Sequence, residues 1–140
     1  MSESKARGEQ GIGSIVEQVI ARVLKKDHEA NLQITKQFAE MVKEYGATYS
    51  VFQLNSDEAP MEGITNVAKT VSANPNEEVW LGLISYRDRK HRQEVDAKMQ
   101  KDERMISLYQ RSVELLAPGT GFIMGEFSRL NLDKWGISTC

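Results

Sequence analysis

The chain holds one cysteine, Cys140, at its last position, so no disulfide can close within it. A reducing, cytoplasmic setting is therefore the expectation. Histidine is as scarce: His28 and His91 stand far apart and offer no metal-ligand spacing. No apolar run approaches the roughly 20 residues that cross a bilayer, which argues against a membrane partner. A basic excess is missing too. Eighteen Lys and Arg face 20 Asp and Glu, a formal net charge of −2, and nucleic acid is not an expected partner. There is no P-loop and no G-x-S-x-G elbow, and Gly119, Gly121 and Gly125 have the wrong spacing for a dinucleotide fingerprint. No cofactor is implied.

What is present suits an ordinary soluble domain: 140 residues, 40% hydrophobic and 27% charged. A chain of this length buries roughly 68% of its unfolded surface without a staple of metal or disulfide. Residues 1–14, polar and glycine-rich with no apolar core, read as a flexible leader rather than a signal peptide. Residues 132–140 read as a loose tail in which Trp135 tucks against the body.

The β-branched run from Ile15 to Leu24 predicts a first strand. Asp27 offers an N-cap, Ile34, Phe38, Met41, Val42 and Tyr45 recur at helical spacing, and Gly46 supplies the stop. Residues 47–54 predict a second strand and residues 63–71 a short helix. Residues 79–86 predict a third strand, after which Asp88 caps a helix carrying Val95 and Met99. A last helical pattern uses Ile106, Tyr109, Val113 and Leu116, and residues 122–130 close the domain as a fourth strand.

The order is β-α-β-β-α-β with extra helical pieces, an α+β ferredoxin-like arrangement on a four-stranded antiparallel sheet. In the third strand both alternating sets, Val79, Leu81, Leu83 and Trp80, Gly82, Ile84, are too apolar to meet water. One layer of helices covers only one face. A second copy packed sheet to sheet is the economical cover for the other.

These residues resemble an uncharacterised bacterial domain-of-unknown-function family of the dimeric α/β-barrel superfamily. The likeness spans most of Val16 to Phe127 and is densest from Tyr86 to Met105, in Arg89, His91, Arg92, Val95, Lys98, Asp102 and Arg104. Glu103 departs from it, standing where the family usually has proline. The resemblance implies a homodimer whose two sheets form a barrel-like core, with residues 15–131 as the dimeric α/β-barrel domain. By analogy of fold the superfamily also offers cofactor-independent monooxygenases and plain ligand-binding barrels.

The basic cluster Arg87, Arg89, Lys90, His91, Arg92 is the sharpest local oddity. With Asp88 as cap, four of these cations crowd a helix start where the dipole favours anions. Arg89, His91 and Arg92 are thus candidate contacts for a small anion. The alternative is a solvated face balanced by Glu94 and Asp96. His91, on the stripe of Val95 and Met99, should face the sheet, as a proton-handling group or as a hydrogen-bonded core histidine. Glu17 and Arg22 lie on opposite faces of the first strand, so at least one should point toward the dimer interior. Glu17 is a second candidate catalytic base, or half of an intersubunit ion pair. His28 reads as solvated, and Gly82 and Gly125 as bulges or as openings for a ligand.

Two functions fit. One is a module binding a small anionic or partly apolar ligand; the other is a cofactor-independent enzyme resembling antibiotic-biosynthesis-type monooxygenases, with His91 or Glu17 moving a proton. A fully packed interior would leave only a structural or interaction protein.

Overall fold

A computed structural model describes residues 13–119 and 121–135; most of the leader and the end of the tail, Cys140 included, lie outside the described residues. β1 (Ile15–Leu24) is central. It pairs antiparallel with β3 (Glu77–Tyr86) along its whole length, from Ile15 opposite Tyr86 to Leu24 opposite Glu77. On its other side it pairs antiparallel with β4 (Ile123–Ser128), and β2 (Thr48–Gln53) flanks β3. The strand order β2-β3-β1-β4, all antiparallel, is the ferredoxin-like arrangement expected from the order of elements.

β3 begins two residues before the predicted start because Glu77 and Glu78 pair with Leu24 and Val23. α1 (His28–Glu44) follows a 3-10 turn over Lys25–Asp27. The predicted Asp27 cap is made differently: its carboxylate caps nothing, and its carbonyl accepts from the Asn31 amide at 2.9 Å. Gly46 ends α1 with φ +82°, the left-handed geometry glycine allows at little cost. The predicted helix over residues 63–71 shrinks to the single turn α2 (Val67–Thr70), capped by Asn66.

α3 (Arg89–Lys101) is capped by Asp88, whose Oδ1 accepts from the His91 N–H at 2.7 Å. α4 (Glu103–Glu114) follows at once. Asp102 ends α3 and caps α4 through the Arg104 N–H at 3.0 Å, so Glu103 takes the first helical position, where proline is also favoured. The junction is pinned to the end of α1: the Tyr45 hydroxyl donates to Asp102 at 2.5 Å, and Arg104 reaches Glu44 at 3.1 Å. Beyond α4, Leu116 bridges to Val23 and the Ala117 N–H donates to the Arg22 carbonyl at 3.1 Å. A last turn, α5, spans Leu132–Trp135.

Cross-strand partners share a face. The inner face therefore carries Ile15, Glu17, Val19, Ala21 and Val23 with Trp80, Gly82, Ile84, Tyr86, Tyr49 and Val51. Ile15, Ile84 and Tyr86 bury against Val42 of α1 and Val95 of α3, with Phe38 and Met99 beside them. Each such apolar side chain contributes about 1.5–3 kcal/mol. A second cluster, Ile34, Met41, Met105 and Leu108, joins α1 to α4. α4 thus rests on α1 and α3 rather than on the sheet.

The outer face carries Val16, Ile20, Leu81 and Leu83, with Phe52, Ile123 and Phe127 each about half exposed. Both faces of β3 are apolar, and the helices cover one. Pairing runs unbroken through Gly82, opposite Val19 and Val51, and through Gly125, opposite Gln18, so neither glycine marks a bulge.

Candidate functional site

Because α4 stands off the sheet, a cavity of about 730 Å³ remains between the inner face and α1, α3 and α4. Val19, Ala21 and Gly82 form its floor. Ala21 and Gly82 are small, and the space over Gly82 is taken by Tyr49: a Cβ at Gly82 would fall 2.4 Å from the Tyr49 hydroxyl oxygen. Phe38 meets Tyr49 edge to face, ring centroids 4.9 Å apart, and Trp80, Met99, Met105 and Leu108 complete the walls. Ile106, Tyr109 and Met124, all about half exposed, stand with Phe122 at the mouth. The stripe predicted from Ile106 and Tyr109 therefore faces the opening, while Met105 and Leu108 take the buried side of α4.

One end of the cavity is charged. Arg92 of α3 donates from Nη2 to Glu17 Oε2 at 2.8 Å and lies 3.3 Å from Asp96, one turn along the same helix. Its Nε is 3.1 Å from Glu126 of β4, close enough to attract without the alignment of a hydrogen bond. Glu126 also holds Arg89 at 3.2 Å. Three carboxylates thus surround Arg92, and Arg89 is largely exposed. Desolvation raises the pKa of the Asp96 carboxyl above the ordinary value, and the adjacent Arg92 opposes that rise. The hydrogen bond to Glu17 holds the Arg92 guanidinium protonated. Burial pushes the Tyr86 hydroxyl well above the usual phenol value; it is fully buried and has no hydrogen-bond partner among the described residues.

Of the residues singled out from sequence, Glu17 lines the cavity and Arg92 grips it from behind. Arg89 lies at the surface against Glu126. His91 is buried beside the Tyr86 ring, outside the cavity lining. Its Nδ1 accepts from the Arg87 N–H at 3.1 Å, which leaves the proton on Nε2, and Nε2 donates to the Tyr45 carbonyl at 3.1 Å. Arg22, on the outer face, reaches the Ser72 carbonyl and lies 3.6 Å from Glu77. Glu17 and Arg22 each find their counter-ion within the chain.

His28 is not simply solvated. Its Nδ1 lies 2.8 Å from Glu78, whose same oxygen accepts from the Trp80 indole at 2.9 Å, and its ring meets Trp80 edge to face. The hydrogen bond to Glu78 raises the His28 pKa above 6.5. Sequence reasoning passed over Asp96, Tyr49 and Glu126 as site residues. Only Asp96 carried a signal, its i,i+4 spacing from Arg92. Among the described residues no group of three His, Cys, Asp or Glu could hold a metal ion, and no helix is long and apolar enough to cross a membrane.

Sheet order, helix layer and cavity together define an α+β protein of ferredoxin-like fold with an apolar chamber between its layers. The family model for "Protein of unknown function (DUF1428)" matches residues 14–114, and the chain belongs to that family. Among solved structures it is similar to a protein of Arabidopsis thaliana, At3g17210 (11% identity, TM-score 0.54, covering 83% of this chain and 96% of that one). It is also similar to a NIPSNAP family protein of unknown function from Agrobacterium tumefaciens (14% identity, TM-score 0.50, covering 84% and 88%). A third is SnoaB, a cofactor-independent oxygenase from Streptomyces nogalater (10% identity, TM-score 0.51, covering 84% and 95%). At these identities the likeness is one of fold. A search of curated proteins finds no match.

Proposed function

We propose that this protein is a cytoplasmic, homodimeric binding module for a small ligand with a largely apolar body, held between sheet and helices. The observation that carries this reading is the cavity itself. About 730 Å³ lies within the roughly 300–1,000 Å³ of small-molecule sites, and its lining is mainly apolar and aromatic, with the carboxylates of Glu17 and Asp96 brought together on Arg92. The basic cluster supports an anion site less well. The charges of Arg89 and Arg92 are already met by Glu17, Asp96 and Glu126, and His91 spends both ring nitrogens on backbone groups.

The test uses a neutral apolar dye, N-phenyl-1-naphthylamine, with the parent and with Ala21→Phe, which fills the cavity floor. Dye fluorescence should rise with the parent and stay low with the variant while far-UV circular dichroism is unchanged. Equal enhancement by both proteins would overturn the reading. The dimer rests on the outer face, where Phe52, Ile123 and Phe127 form an apolar surface that no other element among the described residues covers. Leu81→Asp should shift sedimentation from dimer to monomer; a monomeric parent at micromolar concentration would sink that part.

A second reading, a cofactor-independent enzyme, is favoured by one observation. Asp96 is a partly desolvated carboxyl in the cavity wall with a raised pKa, the character of a proton acceptor. SnoaB shows that this fold can carry a cofactor-independent oxygenase. Oxygen uptake with hydroxylated aromatic compounds, lost in Asp96→Asn, would move the assignment to that reading.

A further inference from the structure

We propose that the cavity selects ligands with a positive charge, apolar ring-bearing amines, and discriminates against carboxylates; this rests on the binding reading above. Among the described residues the charged side chains lining the cavity are Glu17 and Asp96, and no lysine, arginine or histidine joins them. Arg92, their common partner, is shared with Glu126, so the nearest positive charge is divided among three carboxylates. The second guanidinium, Arg89, has a side chain 73% exposed and is screened by water. The charged end thus carries an excess of negative charge facing a low-dielectric space, where an added cation is attracted and an added anion repelled.

The apolar part of the site points to the same ligand class. The walls then offer the faces and edges of Phe38, Tyr49 and Trp80, which suit a flat ring and, where a face is presented, a cation. A ligand with an ammonium group at one end of an aromatic body matches both halves of the site.

The test is a matched series on one skeleton: 2-naphthylmethylamine, 2-naphthalenemethanol and 2-naphthoic acid, each competing with N-phenyl-1-naphthylamine on the full chain. The amine should displace the dye at about one-tenth the concentration the alcohol requires, as one charge-assisted contact provides, and the acid should be weakest. In Asp96→Asn the amine should lose its advantage and bind no more tightly than the alcohol. Added salt should weaken the amine's advantage in the parent, a readout independent of any variant. An acid that competes as well as the amine overturns the proposal, as does an amine-to-alcohol ratio unchanged in Asp96→Asn. Failure of the parent to bind the dye overturns the cavity reading itself.

Discussion

Removing the Arg92 guanidinium tests the charged end directly. In Arg92→Ala, Glu17 stays on the inner face with its 2.8 Å partner gone, Asp96 loses its partner as well, and Glu126 is left with Arg89. A fully buried pair broken in this way costs about 3–5 kcal/mol, and an exposed pair about 0.2–1. The side chains of Arg92 and Glu17 are 25% and 11% exposed, which places the cost between these limits, at about 2 kcal/mol. For a domain of this length that corresponds to about 6 °C in melting temperature. Urea unfolding at fixed protein concentration measures it, with Arg89→Ala as control. The control guanidinium is exposed and, among the described residues, holds Glu126 alone, so its removal should cost under about 0.5 kcal/mol. Adding Glu17→Gln to Arg92→Ala should recover part of the loss, with a coupling energy of about 1.5 kcal/mol. Equal midpoints for Arg92→Ala and Arg89→Ala, or a coupling near zero, would refute the pairing. Stabilisation of the parent by phosphate that vanishes in Arg92→Ala would instead favour the anion site suggested by the basic cluster.

Gly82→Ala should drive the Tyr49 ring off the floor, because the new methyl would lie 2.4–2.9 Å from three of its atoms; overpacking of this kind costs about 1–3 kcal/mol, and dye binding should fall with the displaced ring in the cavity. Unchanged urea midpoint and dye binding would show that Tyr49 does not rest there. The raised His28 pKa has a signed consequence: the stability it contributes is fully present below pH 6.5 and is lost as pH rises through the higher folded value. The deficit of Glu78→Gln against the parent should therefore be largest in mildly acidic buffer and shrink toward about pH 8. In a Trp135→Phe background, Trp80 fluorescence should titrate over the same range, and a flat profile would exclude the contact.

The first and third strands were legible because β-branched runs have nowhere to go but a sheet, and α1 and α3 because apolar spacing and a stop or cap bounded each. Asp88 capped its helix as its position required. The fourth helix was harder. It carries two apolar stripes, and nothing local says which one reaches α1 and which lines an opening. The site was less legible still. Glu17 and Arg92, Glu78 and His28, and Tyr49 and Gly82 meet only once four strands are in register, and no spacing along the chain encodes those meetings. Arg89 and Arg92, from the cluster of cations that stood out in sequence, proved to be half of a network whose carboxylates come from β1, α3 and β4.

α4 is tied down at both extremities, by Asp102 and Arg104 to the end of α1 and by Leu116 and Ala117 to β1. A lintel secured at each end cannot swing like a door. The exposed lining residues Tyr109 and Met124 are thus carried by elements held in place, and thickness becomes a criterion for admission alongside charge. Flat guests should come and go without waiting for the protein to rearrange, while bulky ones of identical polarity are turned away at the threshold.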